Sequence, residues 1–256
     1  MDNRIRLYLF AFPMVLLCCV ASRTAYAATD DPLEDPRLHA PGFLYGHPDL
    51  KHRKYGLDSH DAGHEADAFV QFQRAAHYGD KPSQAVVAEM LWEGRGTAPD
   101  RALAYVWSDL AAERGYLGFL ALRERYWAAL DESERAQAIE KGPAVFNQYA
   151  DSVARPRLAR VIRQVRNSTT GSRTGMQMSM RMYGGPPDSE QLDDGYLRNE
   201  RFWNPDSYQA LMDRAWSRRR IGSVRPSEIK ALHDGLPRSR IRPSAEPLRL
   251  DAVPRR

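Results

Sequence analysis

The sequence predicts an all-α protein built as a short solenoid of stacked helix pairs. One observation is an internal repeat, in which six positions recur at a constant offset of 36 residues. A second is the three- and four-residue spacing of apolar positions, which is typical of packed helices. A third is glycine placed directly after these apolar runs, where helices commonly end. The repeated positions are Ala68, Phe69, Val70, Ala75, Ala76 and Gly79, matched by Ala104, Tyr105, Val106, Ala111, Ala112 and Gly115.

Residues 1–27 have the features of a signal peptide. Arginines precede an apolar run over residues 7–21, and residues 25–27 read Ala-Tyr-Ala, with small residues where a signal peptidase cleaves. The apolar run is shorter than the roughly 20 residues that a membrane-spanning helix needs. We therefore expect cleavage after Ala27, a periplasmic or secreted mature chain, and no integral membrane anchor.

Both cysteines, Cys18 and Cys19, lie inside this predicted signal peptide. The mature chain would then have no disulfide, no cysteine nucleophile and no thiolate metal site. Its stability would have to come from packing.

The charge is divided unevenly along the chain. Residues 1–154 have a formal balance of −6, and residues 155–256 have a balance of +10. Such an asymmetry indicates either that the basic half meets an acidic surface or that the two halves attract each other.

Helical structure is predicted to begin near Asp61, which is a plausible N-cap. Before it, residues 28–60 are rich in proline, histidine and charge and are predicted to form an extended leader. The first helix ends at Gly79, and a second runs from about Pro82 to Gly94.

A tight reversal at Gly94-Arg95-Gly96 leads into a third helix, because glycine adopts positive φ without a steric penalty. Asp100 is its predicted N-cap, and Gly115 its end. Small residues on the second and third helices would let them pack closely as antiparallel neighbours. The residues predicted to shape this repeat are Gly79, Ala85, Gly94, Gly96, Asp100, Ala104, Trp107, Ala111, Ala112 and Gly115.

The run from Ser83 to Gly115 resembles the Sel-one-like repeat. The resemblance rests on the Leu-Trp-Glu-Gly-Arg-Gly turn at residues 91–96, on Asp100 and Trp107, and on the alanine pair that precedes Gly115. It implies a tetratricopeptide-like α-solenoid that holds other proteins together, often in exported bacterial proteins. An unidentified protein in the cell envelope is then the expected partner.

Beyond Gly115 the repeat degenerates, and the position equivalent to Ala88 is occupied by Glu124. The helices there are predicted to close the helical domain, which spans residues 61–166. Asp131 and Glu134 have the spacing of a capping box. The predicted closing helices cover residues 119–130, 136–141, 144–149 and 156–166.

The C-terminal region is predicted to be less regular. Residues 167–204 read as a loop or short strands, and residues 205–220 as a helix that Asn204 caps. Residues 221–256 have the composition of a basic, mostly disordered tail.

A metal site has two weak candidates. Met176, Met178, Met180 and Met182 alternate with polar residues, which suits either Cu(I) binding by thioethers or a half-buried strand, and we favour the strand. His60 and His64 have a spacing that places both imidazoles on one helical face, although a third ligand is missing. We therefore expect no metal and no other cofactor.

Catalytic motifs are missing from the sequence. It has neither a nucleophile elbow nor a phosphate-binding loop. Glu89 and Glu93 lie one turn apart and could mimic a pair of acidic catalysts, but exposed glutamates on a repeat helix explain them equally well. We predict that the protein is not an enzyme.

Two function classes follow from the repeat and from the charge distribution. The first is an exported protein–protein interaction scaffold. The second is an envelope or polyanion binder that acts through the basic C-terminal half, with Arg218, Arg219 and Arg220 as candidate contacts because arginine forks match phosphate. Export disfavours nucleic acid as the polyanion.

Overall fold

The computed structural model describes residues 31–169, 194–217 and 239–241, and all regular structure within these ranges is helical. The all-α prediction is therefore confirmed for the described residues, whereas residues 1–27, which are predicted to be a signal peptide, lie outside them. Short 3-10 helices lie at Pro32–Glu34, Pro36–His39 and Ala112–Arg114. The α-helices are α1 (Pro41–Gly46), α2 (Pro48–Asp61), α3 (Glu65–Ala76), α4 (Lys81–Glu93), α5 (Arg101–Ala111), α6 (Leu117–Ala129), α7 (Glu132–Tyr149), α8 (Asp151–Thr169), α9 (Asp194–Leu197), α10 (Glu200–Trp203) and α11 (Pro205–Ser217).

The N-terminal segment is helical, so the prediction of an extended leader over residues 28–60 is wrong for the part that is described. Proline begins both α1 and α2, where the missing N–H would have no partner in any case. Asp61 does not cap α3 but ends α2, and Gly63, with a φ of 77°, turns the chain into α3. The helical pattern is hard to recognise because α2 buries polar residues, among them Asp49 and Arg53.

Buried polar contacts tie this N-terminal segment to the rest of the protein. Nη2 of Arg53 lies 2.7 Å from Oδ1 of Asp31, and its Nη1 lies 3.3 Å from Oδ1 of Asp80. The hydroxyl of Tyr208 donates to Oδ2 of Asp49 at 2.6 Å. These pairs join elements far apart in sequence, so no local pattern reveals them.

Local caps set the ends of the central helices. Asp100 accepts a hydrogen bond from the backbone amide of Leu103 at 2.8 Å, which confirms it as the N-cap of α5. Asp80 caps α4 in the same way, so that helix begins at Lys81. Gly94 ends α4 in the left-handed conformation, with a φ of 72°.

The internal repeat falls on α3 and α5, which end alike but lie in different surroundings. Gly79 follows α3 with a φ of 82°, and Gly115 follows α5 with a φ of 74°. Val70 on α3 is 42% exposed, whereas the equivalent Val106 on α5 is fully buried. The difference arises because α5 packs against α4, α6 and α7, whereas α3 packs against α2 and α4.

The closing helices are longer than predicted. The capping box of Asp131 and Glu134 is confirmed at the start of α7. The two helices predicted over residues 136–141 and 144–149 form one, because α7 continues through Pro143. A proline there removes one backbone hydrogen bond, and the glycine before it has no Cβ to clash with the ring. The helix predicted over residues 156–166 lies within α8.

Two apolar cores hold the helices together. The first is formed by α3 to α7 together with Ile241, and the second joins α1, α2, α8, α9, α10 and α11. Trp216 packs against both. The second core contains Leu38, Ala40, Phe43, Leu44, Leu50, Leu158, Ile162, Leu197, Phe202, Tyr208 and Met212.

For the C-terminal region, the prediction of loop or strands over residues 167–204 is wrong where residues are described, and the prediction of a helix over residues 205–220 is confirmed up to Ser217. Within the region predicted as loop or strands, residues 167–169 complete α8, and α9 and α10 lie at residues 194–203, because burial of Leu197 and Phe202 orders them. The helix predicted over residues 205–220 is present as α11, and Asn204 accepts backbone amide hydrogen bonds at its start.

Candidate functional site

Three residues of the C-terminal region, Ser239, Arg240 and Ile241, lie against α5, α6 and α7. They fall within residues 221–256, for which a basic, mostly disordered tail is predicted, and the other residues of that tail lie outside the described ranges. Specific side-chain contacts hold them, and such contacts cannot be read from composition. We call the surface that holds them the tail cleft. Its residues are Asp109, Arg123, Glu124, Trp127 and Gly142.

The tail cleft grips an arginine with a carboxylate and an aromatic ring. Nη1 of Arg240 donates to Oε1 of Glu124 at 2.9 Å, and Nη2 donates to Oε2 at 2.6 Å. The guanidinium carbon of Arg240 lies 5.0 Å from the centroid of the Trp127 ring. A bidentate, charge-assisted pair beside an aromatic face is specific for arginine, because lysine has no planar fork.

A second arginine balances part of the negative charge in the cleft. Arg123 is fully buried; its Nε donates to Oε1 of Glu124 at 2.9 Å, and its Nη1 lies 3.3 Å from Oδ1 of Asp109. The Glu124 carboxylate therefore bridges Arg123 and Arg240. If Arg240 left, two carboxylates would face one guanidinium, and the cleft would have surplus negative charge.

The pKa values of the two acids of the cleft are shifted in opposite directions. Burial alone would raise the pKa of Glu124, but hydrogen bonds from Arg240 and the charge of Arg123 lower it below its usual value. Burial raises the pKa of Asp109, against the hydrogen bonds from Ser239 and Arg123. Glu124 is thus the firmly ionised acid and the main anchor for a cation.

Next to the charged part, the cleft has an apolar seat. Ile241 is only 8% exposed and belongs to the first core. It packs on the backbone at Gly142, where an added Cβ would lie 2.3 Å from Cγ2 of Ile241. A side chain at position 142 would therefore close this seat.

Ser239 positions the other two residues of the segment. Its hydroxyl donates to Oδ2 of Asp109 and accepts the backbone amide of Ile241 at 3.1 Å. The segment thus contacts the cleft through all three side chains.

A second polar cluster surrounds the turn between α3 and α4. Lys81 is buried, and its Nζ donates to the carbonyl of Leu110 at 2.9 Å and to Oε2 of Glu113 at 2.8 Å. Arg114 forms a bidentate pair with Asp151. Burial opposes ionisation of Asp151, but Arg114 and Lys81 prevail and lower its pKa to about 2. The adjoining cavity of about 10 Å³ has room for about one water, so this cluster serves cohesion.

An open groove of about 450 Å³ lies between α8 and α11. Arg155 and Arg163 line it from α8, and Asp206 and Asp213 line it from α11. Because these charges balance, the groove has no preference for either sign of ligand. The tail cleft is the stronger candidate, because its carboxylates bind a guanidinium and its apolar seat binds an aliphatic side chain.

Comparisons with protein-family models, with curated proteins and with solved structures find no match for this chain. The role of the tail cleft is therefore inferred from its geometry. Within the described ranges, no helix is both long and apolar enough to cross a membrane.

The residues predicted to shape the repeat lie in the core or at helix ends, outside the tail cleft. Trp107 packs against the ring of Tyr149, with centroids 4.6 Å apart. Gly96 has a φ of 67°, and a Cβ there would lie 2.2 Å from the carbonyl oxygen of Glu65. The buried alanines among them are Ala85, Ala104, Ala111 and Ala112.

Of the two weak metal candidates, only the histidine pair His60 and His64 lies within the described residues. Nδ1 of His60 lies 2.9 Å from Oε1 of Glu65, at the junction of α2 and α3, where His64 occupies the N-cap position. Among the described residues, no group of three or more histidine, cysteine or acidic side chains could hold a metal ion. The four methionines Met176, Met178, Met180 and Met182 lie outside the described residues.

The acidic pair on α4, Glu89 and Glu93, lies away from the two cavities described above. Glu93 pairs with Arg95, and burial together with the charge of Glu93 raises the pKa of Glu89. The candidate anion contacts Arg218, Arg219 and Arg220 lie outside the described residues.

The sequence does contain one signal for the tail cleft. Glu124 stands where the repeat has Ala88, and by itself this loss of the pattern reads as degeneration. A charged residue that replaces a small packing residue at a helix interface needs a partner, and here the partners are Arg123 and Arg240.

Proposed function

We propose that this protein is an exported protein–protein interaction module. A short helix-pair solenoid of the Sel-one-like type forms its body, and the tail cleft binds an extended segment of a partner in the cell envelope. The proposal assigns the protein no catalytic step and no cofactor.

One observation carries the proposal: the helical body already holds a peptide segment that is remote in sequence. Residues 239–241 are separated from α11 by residues 218–238. Nevertheless, Arg240 pairs with the carboxylate of the cleft, Ile241 fills the apolar seat, and the Ser239 hydroxyl donates a hydrogen bond to the cleft. Proteins recognise extended segments through a few anchor side chains of this kind.

The packing of the helices supports the solenoid part of the proposal. Each helix from α2 to α5 packs against the next one along the chain. With α2 included, α2–α3 and α4–α5 form two successive helix pairs, so α3 has a partner helix that the sequence repeat does not contain. Stacked pairs of this type bury their apolar faces against each other.

Site-specific crosslinking in the cell envelope tests the proposal. A photoreactive amino acid replaces Ile139, which is 51% exposed on α7 one turn from Gly142. The double change Arg240→Ala with Ile241→Ala should vacate the cleft and raise the yield of crosslinked partner, and a further Glu124→Gln should lower it again. Glu140→Gln, an equivalent change at an exposed position of α7, should have no effect. Equal yields from all variants would remove the support for a partner at this site.

One observation favours the second function, binding of an anionic envelope surface. Between Pro156 and Thr169, the only charged residues of α8 are arginines, and Arg160 and Arg163 are exposed. Cosedimentation with phosphatidylglycerol vesicles, compared with neutral vesicles, tests this function. Binding that falls at least severalfold in Arg160→Gln with Arg163→Gln would support it, and equal recovery with both kinds of vesicle would contradict it.

A further inference from the structure

We infer that the tail cleft recognises an arginine followed by a β-branched aliphatic residue, and that residues 239–241 are its intramolecular occupant, which a partner with the same pair must displace. This inference rests on the proposed function and names the ligand class and the regulation of the same site.

The charged part of the cleft selects the arginine. The carboxylate of Glu124 accepts both Nη atoms of Arg240 and also binds buried Arg123, so its orientation is fixed before a ligand arrives. The Trp127 ring provides a face for the guanidinium. A lysine would keep the charge but lose the second hydrogen bond and the planar stacking.

The apolar part selects the following residue. Both Cγ atoms of Ile241 lie close to where a Cβ of Gly142 would be, at 2.3 Å for Cγ2 and 3.2 Å for Cγ1. Both branches of the isoleucine therefore rest on the bare backbone of α7. Valine is branched in the same way and should fit the seat. An acidic residue should be excluded, because its charge would be buried in the first core without a partner.

The chain itself carries the pair twice. Arg-x-Arg-Ile occurs at residues 218–221 and again at residues 238–241, and each copy is followed by Arg-Pro-Ser, at residues 225–227 and 242–244. The segment in the cleft is thus one instance of a sequence pattern that recurs in the same region.

An intramolecular occupant has a large advantage over a free one. A segment tethered to its site competes intramolecularly, at an effective concentration that the length of the tether sets. A partner therefore binds weakly while residues 239–241 stay in place. Partners that present several contacts would displace the segment more readily.

The test measures the fluorescence anisotropy of a labelled peptide with the sequence of residues 236–244, titrated with the full chain. In a chain whose other copy carries Arg220→Ala with Ile221→Ala, the double variant Arg240→Ala with Ile241→Ala should bind the peptide at least about 10-fold more tightly than that parent chain, because no tethered Arg-Ile pair is left to compete. A peptide of scrambled sequence controls for charge. If the double variant binds both peptides equally, the inference is wrong.

Two further variants of the vacated protein separate recognition from folding. Glu124→Gln should weaken peptide binding about 10-fold or more, and Gly142→Ala should weaken it by closing the apolar seat, while Glu140→Gln should leave it unchanged. Circular dichroism verifies that each variant keeps its helix content. Unchanged affinity in both folded cleft variants would overturn the inference.

The outcome is distinguishable from that of the proposed function. If partner crosslinking depends on the cleft but the Arg-Ile peptide is not preferred, only the ligand class is wrong. If the peptide is preferred but no envelope partner depends on the cleft, the site is an intramolecular clasp, and both the proposed function and its regulation by a partner are contradicted.

Discussion

Ile241 rests directly on the backbone at Gly142, where a Cβ would lie 2.3 Å from its Cγ2 atom. A residue from the far C-terminal region thereby completes the first core. This contact explains why a glycine is useful in the interior of α7, although glycine weakens helices by about 1 kcal/mol relative to alanine.

Gly142→Ala should expel Ile241 from its seat and destabilise the protein by about 1–3 kcal/mol, the usual range for overpacking. In the Ile241→Ala background the same change should cost at least about 1 kcal/mol less, because the clashing atoms are gone. Urea unfolding of the four proteins measures this coupling. If Gly142→Ala lowered the free energy of unfolding equally with and without Ile241→Ala, the added Cβ would clash with the neighbouring Pro143 and not with Ile241.

Arg53→Met should destabilise the protein by about 3–5 kcal/mol, because Asp31 and Asp80 would remain buried without their cation. Arg37→Met makes the same chemical change in an exposed pair with Asp35, and should cost less than about 1 kcal/mol. Thermal and urea unfolding compare the two. Similar small effects would mean that the N-terminal segment is not part of the cooperative fold.

Stability should fall as the pH falls from about 6.5 to about 4, through His47. This side chain is fully buried, and burial lowers its pKa to about 4, although the carbonyl oxygens of Phe43 and Phe202 lie beside its two ring nitrogens and favour the charged form. The unfolded chain takes up the proton near pH 6.5, so between these values it binds more protons than the folded chain.

The loss amounts to about 1.4 kcal/mol per pH unit, or about 3 kcal/mol across the window. The difference between the unchanged protein and His47→Gln, measured by urea unfolding from pH 7 to pH 4.5, isolates this contribution from the carboxylates. The prediction would be contradicted if the difference in unfolding free energy did not change with pH, or if it favoured the unchanged protein at low pH. Either result would mean that His47 is already protonated in the folded protein.

Three glycines with positive φ should differ in how they tolerate alanine. Gly115→Ala meets no atom within 4 Å and should cost only the roughly 1–2 kcal/mol of left-handed backbone. Gly94→Ala also contacts the ring of Pro99 at 3.2 Å. Gly96→Ala should be the most destabilising, because its Cβ would lie 2.2 Å from the Glu65 carbonyl oxygen. A melting temperature for Gly96→Ala equal to that of Gly115→Ala would contradict this order.

The correct predictions from sequence concern interactions that close within one helical turn. Asp100, the Asp131–Glu134 box and Asn204 all cap the helices that they are predicted to cap, because a side chain that accepts an amide two or three residues later needs no tertiary partner. Gly94 ends its helix for a similarly local reason.

The wrong predictions concern segments whose order depends on distant residues. The segment predicted as an extended leader is helical because its polar residues pair with distant partners. Arg53 pairs with Asp31 and Asp80, and Asp49 accepts a hydrogen bond from Tyr208. Its polar composition gives no sign that these residues are buried.

The tail cleft follows the same rule. Glu124 is visible as a break in the repeat, but its partner Arg240 lies more than a hundred residues away among arginines that composition assigns to a solvated tail.

Local chemistry in the chain is thus sufficient to specify the helical class, the repeat and those helix ends that have a local cap, because propensity, caps and glycine conformation act over a few residues. The choice of which polar groups are buried, and which surface holds residues 239–241, belongs to the tertiary structure. A buried charge is tolerated only where folding brings its partner within hydrogen-bond distance, and that distance is set by packing and not by position in the sequence.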